Sequence, residues 1–305
     1  MIDLSIVILN WNVRDLLDRC LASLRSERYI LEIIVVDNAS HDDSVAMLRA
    51  KYPQVELIAN TTNRGFTVGN NQGISASRGR YVMVLNPDTE VLGDALDQLV
   101  SYLDGHPDAG AIGPQLLNPD RSIQSSRRRF PTLATAFFES TWLQGMAPKR
   151  ILARFYMDDV PVSLAHEVDW LSGACTVFRR AVLDGVGLYD AQNFFMYSEE
   201  LDLCRRVKEA GWKIVYLPEA QVVHYVGKSS DQAVAARHIY FQTSKVRYVR
   251  KWHGAFPASI LRLFLLSQYG WQIGLESAKG LLGSKRELRR QRVKAYWQVV
   301  RTGLK

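Results

Sequence analysis

Cysteine is scarce in this 305-residue chain. Cys20, Cys175 and Cys204 lie far apart and form no C-x-x-C pair. That excludes a disulfide scaffold and a cysteine zinc knuckle, and it fits a reducing compartment. Long apolar runs are missing too. The longest charge-free stretch of the C-terminal region, Leu263 to Leu275, has 13 residues, short of the roughly 18 that suggest a membrane span. The opening MIDLSIVILNWN lacks the basic start and small-residue cleavage site of a secretory signal, so it reads as a buried strand. An intracellular protein is the expectation. No G-x-G-x-x-G follows a strand-like run and no G-x-x-x-x-G-K-[ST] occurs, which speaks against dinucleotide dehydrogenases and P-loop enzymes. Zinc, RNP-type and helix-turn-helix signatures are absent, so no nucleic-acid partner is expected. The chain has no internal repeat and no low-complexity linker.

What is present is ordinary globular composition, 47% hydrophobic and 23% charged, which excludes disorder and collagen-like repeats. The net charge of +7 conceals an asymmetry: residues 225–305 carry +13 and residues 1–224 carry −6. The basic tail contains LRLFLLSQYGWQIGL (residues 261–275), and the tail's mixture of aromatics and leucines with Arg and Lys points to helices lying on a surface. The plainer alternative is a helix packing on the body with a solvated basic face.

Over the first 113 residues strand and helix patterns alternate. SIVILN and EIIVVD are short apolar runs, LLDRCLASL between them has helical spacing, and DDSVAMLRAKY, VELIA, VGNNQGISAS, YVMVLNPD and ALDQLVSYLD continue the alternation. This predicts an α/β fold with a Rossmann-like, mostly parallel central sheet flanked by helices. Ligands of such sheets gather at the carboxyl ends of the strands. There lie Asn10 and Asn12, Asp37-Asn38, Asn63-Arg64-Gly65-Phe66 and Asn86-Pro87-Asp88. Further on, TAFFESTWLQGM reads as an aromatic-rich helix, residues 168–180 as strand, LDLCRRVKEAGWK as a helix closed by Gly211, and KIVYLP and AQVVHY as two short strands.

Three pieces in order are SIVILNWN…EIIVVDNASHDDS, NRGFTVGNNQGI…GRYVMVLNPDTEV and VDWLSGACTVFRRAVLDGVGLYD…YSEELDLCRRVKEAGWKIVYLPEAQVVHYVGKSS. Together they resemble the inverting glycosyltransferases of family 2, with the GT-A fold, and most of all the rhamnosyltransferase branch that builds bacterial cell-surface polysaccharides. The resemblance spans roughly residues 3–230. It implies a GT-A domain over residues 1–230, with a nucleotide-binding half (1–113) and an acceptor and catalytic half (114–230), followed by a basic amphipathic helical region (231–305).

The resemblance gives Asp37 to nucleotide binding, together with Asn10 and Asn38. Physically, its carboxylate suits the imide N–H of uracil or thymine, while the plainer reading has Asp37-Asn38 capping a turn. Asn63, Arg64 and Gly65 resemble the loop beside the base and diphosphate. Asn86-Pro87-Asp88 stands where the family has Asp-x-Asp. Asp88 is expected to bind Mg²⁺ or Mn²⁺, with Asn86 hydrogen-bonding ribose or a metal-bound water and His224 completing coordination. Relatives usually read Glu-Asp-x-Asp at Glu199-Glu200-Leu201-Asp202. Glu200 therefore falls at the position of the catalytic base, one methylene longer, with Glu199 and Asp202 as rivals. Asp202 alternatively pairs with Arg205 or Arg206. Trp170, Gly173 and Ala174 fall at the floor of the sugar site, although Trp170 also suits a core. The run Arg127-Arg128-Arg129 fits a diphosphate, an anionic lipid or a solvated loop.

The implied donor is dTDP-rhamnose, or else a UDP-sugar, and the implied acceptor a glycan or polyprenyl-linked glycan. The expected location is the cytoplasm, peripheral on the anionic inner face of the membrane, with homo-oligomerisation left open. Two rival classes remain. A sugar nucleotidyltransferase would carry a Gly-rich phosphate loop with a basic residue near its start, and VILNWNVRD has none. A non-catalytic binding or assembly relative is suggested by Asn86 and Glu200.

Overall fold

The computed structural model describes residues 1–225, 234–281, 283 and 285–305, and the expected junction at 230/231 lies outside them. Strand and helix alternate from the start: β1 (Leu4–Asn10), α1 (Arg14–Ser23), β2 (Leu31–Asp37), α2 (Ser44–Lys51), β3 (Glu56–Ala59), α3 (Gly65–Ala76) and β4 (Tyr81–Leu85). Next come β5 (Thr89–Val91), α4 (Ala95–Gly105), β6 (Ala109–Leu117), β7 (Arg127–Arg128), α5 (Leu133–Phe138) and α6 (Lys149–Tyr156). After β8 (His166–Val168), β9 (Trp170–Leu171) and β10 (Cys175–Arg179) come α7 (Arg180–Val186), α8 (Glu199–Glu209) and β11 (Lys213–His224). Helices α9 (Val234–His253), α10 (Ala255–Leu281) and α11 (Arg286–Thr302) follow.

The main sheet runs β3-β2-β1-β4-β10-β6-β11-β5, with β8 on β11, and β7 pairs with β9 in a separate ribbon. Pairing is parallel from β3 to β4. Beyond that the sheet is mixed, because β10 lies antiparallel to both β4 and β6. Alternating side chains feed two cores. Leu4, Ile6 and Ile8 of β1 join Leu17 and Cys20 of α1 and Leu99 and Leu103 of α4. Val7 joins Ile74 of α3, Val182 of α7 and Val207 of α8 on the other face. Continuous apolar strands are what a sheet covered on both faces requires.

Two compact units result. The first, Met1–Phe130, Tyr156–Phe195 and the segment from Glu199 through β11, contains the whole sheet. The second comprises Pro131–Phe155, Met196–Ser198 and the C-terminal helices. Within it the Phe137 and Phe264 rings lie 5.3 Å apart, Tyr269 packs 5.5 Å from Tyr296, and Lys245 Nζ donates to the Glu139 carbonyl at 2.6 Å. Among the described residues no helix is long and apolar enough to cross a membrane.

Three local expectations change. KIVYLP and AQVVHY form one strand, β11, whose register against β6 shifts between Leu217 and Gln221, around Pro218, which has no N–H for the ladder. The aromatic helix ends at Phe138 and gives way to turns with one short 3₁₀ segment, Gln144–Met146. Arg127 is no solvated loop residue: it is buried, donates to the Val160 carbonyl at 2.8 Å and lies over the Tyr216 ring.

Helix α3 meets β1 through glycine. A Cβ on Gly69 would fall 2.3 Å from Leu9 Cδ1, and one on Gly73 would fall 2.3 Å from Val7 Cγ1. Val7 is β-branched in a central strand and cannot rotate away. Gly73→Ala should therefore lower stability by about 1–3 kcal/mol in urea denaturation, outweighing the gain of under about 1 kcal/mol from helix propensity. An unchanged or raised urea midpoint would show that the seam has room.

Candidate active site

The carboxyl ends of β1 and β2 lie side by side, with Asn10 opposite Asp37. Asp37 is buried, and both its oxygens are engaged: Oδ1 accepts from Asn10 Nδ2 at 2.9 Å and Oδ2 from the Ser40 amide at 2.9 Å. It thus closes the turn after β2, and each oxygen keeps a second lone pair. Asn38 knits the neighbouring loop. Its Nδ2 donates to Asn63 Oδ1 (3.2 Å) and the Gly65 carbonyl (3.1 Å), while Oδ1 accepts from Asn60 Nδ2 (2.9 Å). The exposed Asn63 also accepts from the Gly65 amide at 2.9 Å. Arg64 beside it is exposed, with no ion pair among the described residues. Gly65 has φ +84°, and a Cβ there would lie 2.5 Å from the Phe195 ring, so the close approach expected at this glycine is made by Phe195.

Past β4, the Asn86 amide donates to the Ala174 carbonyl at 2.9 Å, which joins Asn-Pro-Asp to the Ser-Gly-Ala segment before β10. Asp88 is buried, and its Oδ1 lies 3.3 Å from His224 Nε2 at the end of β11. Strand β5 pairs antiparallel with β11, with Thr89 opposite His224, and this sets the two side chains together. Gln124 orients the imidazole. Its Nε2 donates to the His224 carbonyl (3.3 Å) and Asn118 Oδ1 (3.0 Å), so its Oε1, 2.8 Å from His224 Nδ1, must accept the ring N–H. With Nδ1–H held by Gln124, Nε2 is the ring nitrogen that faces the Asp88 carboxylate. Two electron pairs face each other unless a proton or a cation lies between them. One oxygen and one imidazole nitrogen, fixed from behind by an amide, make a donor pair suited to a divalent metal. Among the described residues no group of three or more His, Cys, Asp or Glu forms a metal cluster, so further ligands would come from elsewhere. Gln124 escaped the sequence reading because nothing in RSIQSSRRRF distinguishes it.

Helix α8 opens with the carboxylates. Glu199 is buried and Glu200 half-buried, and Oε2 of each is buried without a hydrogen-bond partner. Asn10 Oδ1 is a third such oxygen. An unpaired buried acceptor costs about 1–3 kcal/mol, which packing alone has no need of. Burial raises both carboxyls above the ordinary 4.5, Glu199 well above it, with the Glu200 charge adding to the effect on Glu199. Glu200 lies against Gly173, where a Cβ would be 3.5 Å from its own Cβ and 3.7 Å from its carboxyl carbon. Asp202 differs. It is fully buried and accepts from Arg206 Nε at 3.0 Å, and Arg206 also donates to the Val186 and Leu188 carbonyls. It ties α8 to the end of α7.

Trp170 is half-buried against the second core and donates from its indole to the Arg129 carbonyl at 3.0 Å. Arg129 itself pairs with Asp159 at 2.7 Å. The structure thus brings Asn86, Asp88, His224, Gly173, Ala174 and Glu200 into one linked set, and Asn10, Asp37, Asn38, Asn63, Arg64 and Gly65 into another at the ends of β1 and β2.

The sequence profile of glycosyl transferase family 2 matches residues 5–187. Among curated proteins, an N-acetylglucosaminyl-diphospho-decaprenol L-rhamnosyltransferase of Mycobacterium tuberculosis is 29% identical over 95% of this chain and 97% of its own length. Rhamnosyltransferase WbbL of Escherichia coli K12 is 25% identical over 81% of this chain and 92% of its own. Of solved structures, GalNAc-T7 with UDP, GalNAc and Mn²⁺ superposes with a TM-score of 0.62 at 16% identity, covering 97% of this chain, which spans 54% of that one. The mannosyltransferase PcManGT of Pyrobaculum calidifontis with GDP-Man and Mn²⁺ gives 0.56 at 17% identity, over 99% of this chain and 84% of that one. The fold is GT-A.

A raised Glu199 carboxyl has a measurable consequence. The unfolded chain releases this proton near 4.5 while the folded chain retains it, so stability falls as pH rises above 4.5. Glu199→Gln removes that dependence. Its urea midpoint should fall less than that of the wild type between about pH 5 and about pH 8. Parallel falls would mean that Glu199 is ionised when folded.

Proposed function

The chain belongs to glycosyl transferase family 2, and on that premise we propose that it transfers a sugar, with inversion, from a nucleotide-sugar donor to an acceptor hydroxyl. What supports this most is the linked set at the sheet's carboxyl end: Asp88 3.3 Å from His224, Asn86 bonded to Ala174, and Glu200 against Gly173. Residues 1–113 hold the nucleotide, with Asp37, Asn38 and Asn10 at the base and Asn63, Arg64 and Gly65 beside the diphosphate. Residues 114–230 hold the sugar and acceptor, with Trp170, Gly173 and Ala174 as floor. The donor of choice is dTDP-rhamnose, by likeness to the rhamnosyltransferases above, with a UDP-sugar as the alternative. The acceptor is a polyprenyl-linked glycan of envelope polysaccharide synthesis, which places the enzyme at the cytoplasmic face of a membrane.

Glu200 is the base. It takes the proton from the acceptor hydroxyl as that oxygen attacks the anomeric carbon from the side opposite the diphosphate. The new C–O bond forms while the bond to the phosphate oxygen breaks, and its electron pair leaves with the nucleoside diphosphate. Asp88 and His224 would hold Mg²⁺ or Mn²⁺, with diphosphate oxygens and water as the other ligands. Such a cation, when bound, neutralises charge on the departing diphosphate. Arg64 places a second positive charge beside it. The raised Glu200 carboxyl matches its task, since a base must hold the proton it takes.

Glu200→Gln should keep nucleotide binding and lower kcat by about 10²-fold or more. The ascending limb of the wild-type pH–rate profile should lie above the ordinary carboxylate value of 4.5. Normal turnover in Glu200→Gln, with Glu199→Gln or Asp202→Asn inactive, would move the base to one of those residues. In Mn²⁺ titrations of the nucleoside diphosphate complex, Asp88→Asn should abolish the metal-dependent gain in affinity and His224→Ala should reduce it. Gln124→Leu should weaken it about tenfold through the ring orientation alone. Unchanged titrations in Asp88→Asn would defeat the metal assignment.

A further inference from the structure

Helix α10 is 27 residues long, about 40 Å. Its inner face, Ala258, Leu261, Leu265 and Tyr269, is buried. Its outer face is apolar as well. Phe256, Leu263 and Trp271 are 77%, 68% and 71% exposed, and Ile260 and Leu275 are also exposed on the same three- and four-residue spacing. The other exposed positions up to Ala278 are all alanine, serine or glycine, and the space beside Gly270 and Gly274 is open. Between Ala255 and Ala278 no exposed residue of this helix is charged. Half-buried Arg262 donates to the Gly303 carbonyl. A helix that meets water normally carries charge on its outer face, and a patch of this extent marks an interaction surface.

Helix α11, packed against α10, carries the complement. Arg286, Arg290, Lys294, Trp297 and Arg301 recur at positions i, i+4, i+8, i+11 and i+15, and all are exposed. Arg289 and Arg292 are paired with Glu276. Arg286, Arg290, Lys294 and Arg301 have no ion pair among the described residues.

We propose that the outer face of α10, flanked by the cationic stripe of α11, seats this chain on an anionic phospholipid surface. Apolar side chains enter the acyl boundary, while arginine and lysine meet lipid phosphates. A second copy of the chain is a poorer occupant, because it would bring the same four unpaired cations to the contact. Since no described helix is long and apolar enough to span, α10 lies in the plane of the interface. The proposal rests on the glycosyltransferase reading only for its purpose, which is to hold the enzyme where a polyprenyl-linked acceptor is found.

Flotation of the full chain with vesicles tests it. The wild type should float with phosphatidylglycerol/phosphatidylcholine vesicles at low salt, and less with phosphatidylcholine alone. Phe256→Ser/Leu263→Ser/Trp271→Ser should lose more than about tenfold in vesicle affinity at every salt concentration. Arg286→Gln/Arg290→Gln/Arg301→Gln should lose the preference for anionic vesicles and the salt dependence. The thermal shift produced by UDP or dTDP serves as control, and both variants should keep the wild-type shift. Wild type that stays with the soluble fraction at low salt overturns the proposal, as does a triple-serine variant that floats normally. A concentration-dependent dimer abolished by the serines, with flotation unaffected, would assign the face to a second copy. Flotation as expected with no nucleotide shift in any form would leave the docking surface standing and defeat the glycosyltransferase reading.

Discussion

One strand pairing holds the site together. β10 enters antiparallel between β4 and β6, with Cys175 opposite Leu85 and Val177 opposite Met83. This register sets Ala174, just before β10, against Asn86, just after β4. Gly173 follows from that, and Glu200 of α8 lies on Gly173. A slip of two residues would keep every apolar side chain on its face yet move Ala174 about 7 Å along the sheet. The site would come apart while the core survived. The register is secured on both sides of the sheet by Val177 and Phe178, each fully packed.

The polar residues buried near this point divide by whether their needs are met. Asp202 is answered by Arg206, and that guanidinium is answered in turn by backbone carbonyls. Such a network braces α8 against α7. Glu199 and Glu200 stand on the same helix with an oxygen each left unanswered and with raised proton affinity. Residues 199, 200 and 202 thus share a short acidic run but not an environment. The first two carboxyls are raised by burial, while the third is held by a guanidinium.

Much of the fold was legible because its signals are local. Apolar runs closed by polar residues mark β1, β2 and β4 within a residue or two, and their ends lie together as parallel pairing requires. The expected acids and amides at those ends are in place. What was illegible depends on distant partners. KIVYLP and AQVVHY read as two strands, yet β6 carries β11 across the irregularity between them. Arg127 looked solvated beside two other arginines, but the Val160 carbonyl and the Tyr216 ring supply it with a buried home. TAFFESTWLQGM has helical composition, but Ser140 adopts φ +57° and the helix ends before it. Gln124 depends on His224, one hundred residues away in sequence. For Asp37 and Asn38, both a turn-forming role and a ligand-facing one suit the same residues: Asp37 bonds the Ser40 amide of its own turn, and Asn38 bonds the neighbouring 60–65 loop.

The seam between α3 and β1 has a mechanical consequence. Most helices rest on a sheet through side chains that can change rotamer and absorb small displacements. Gly69 and Gly73 leave α3 with nothing to yield at its contact with Leu9 and Val7. At the leading end of the helix, the Phe66 amide and the Thr67 hydroxyl bond the Phe194–Phe195 carbonyls, and Asn71 exchanges two hydrogen bonds with Tyr189. A force on the 189–195 loop therefore passes into α3 as a rigid rod with one hard bearing. The rod's first residue is Gly65, whose amide donates to Asn63, so the Asn63-Arg64 loop is tethered directly to the rod's leading end.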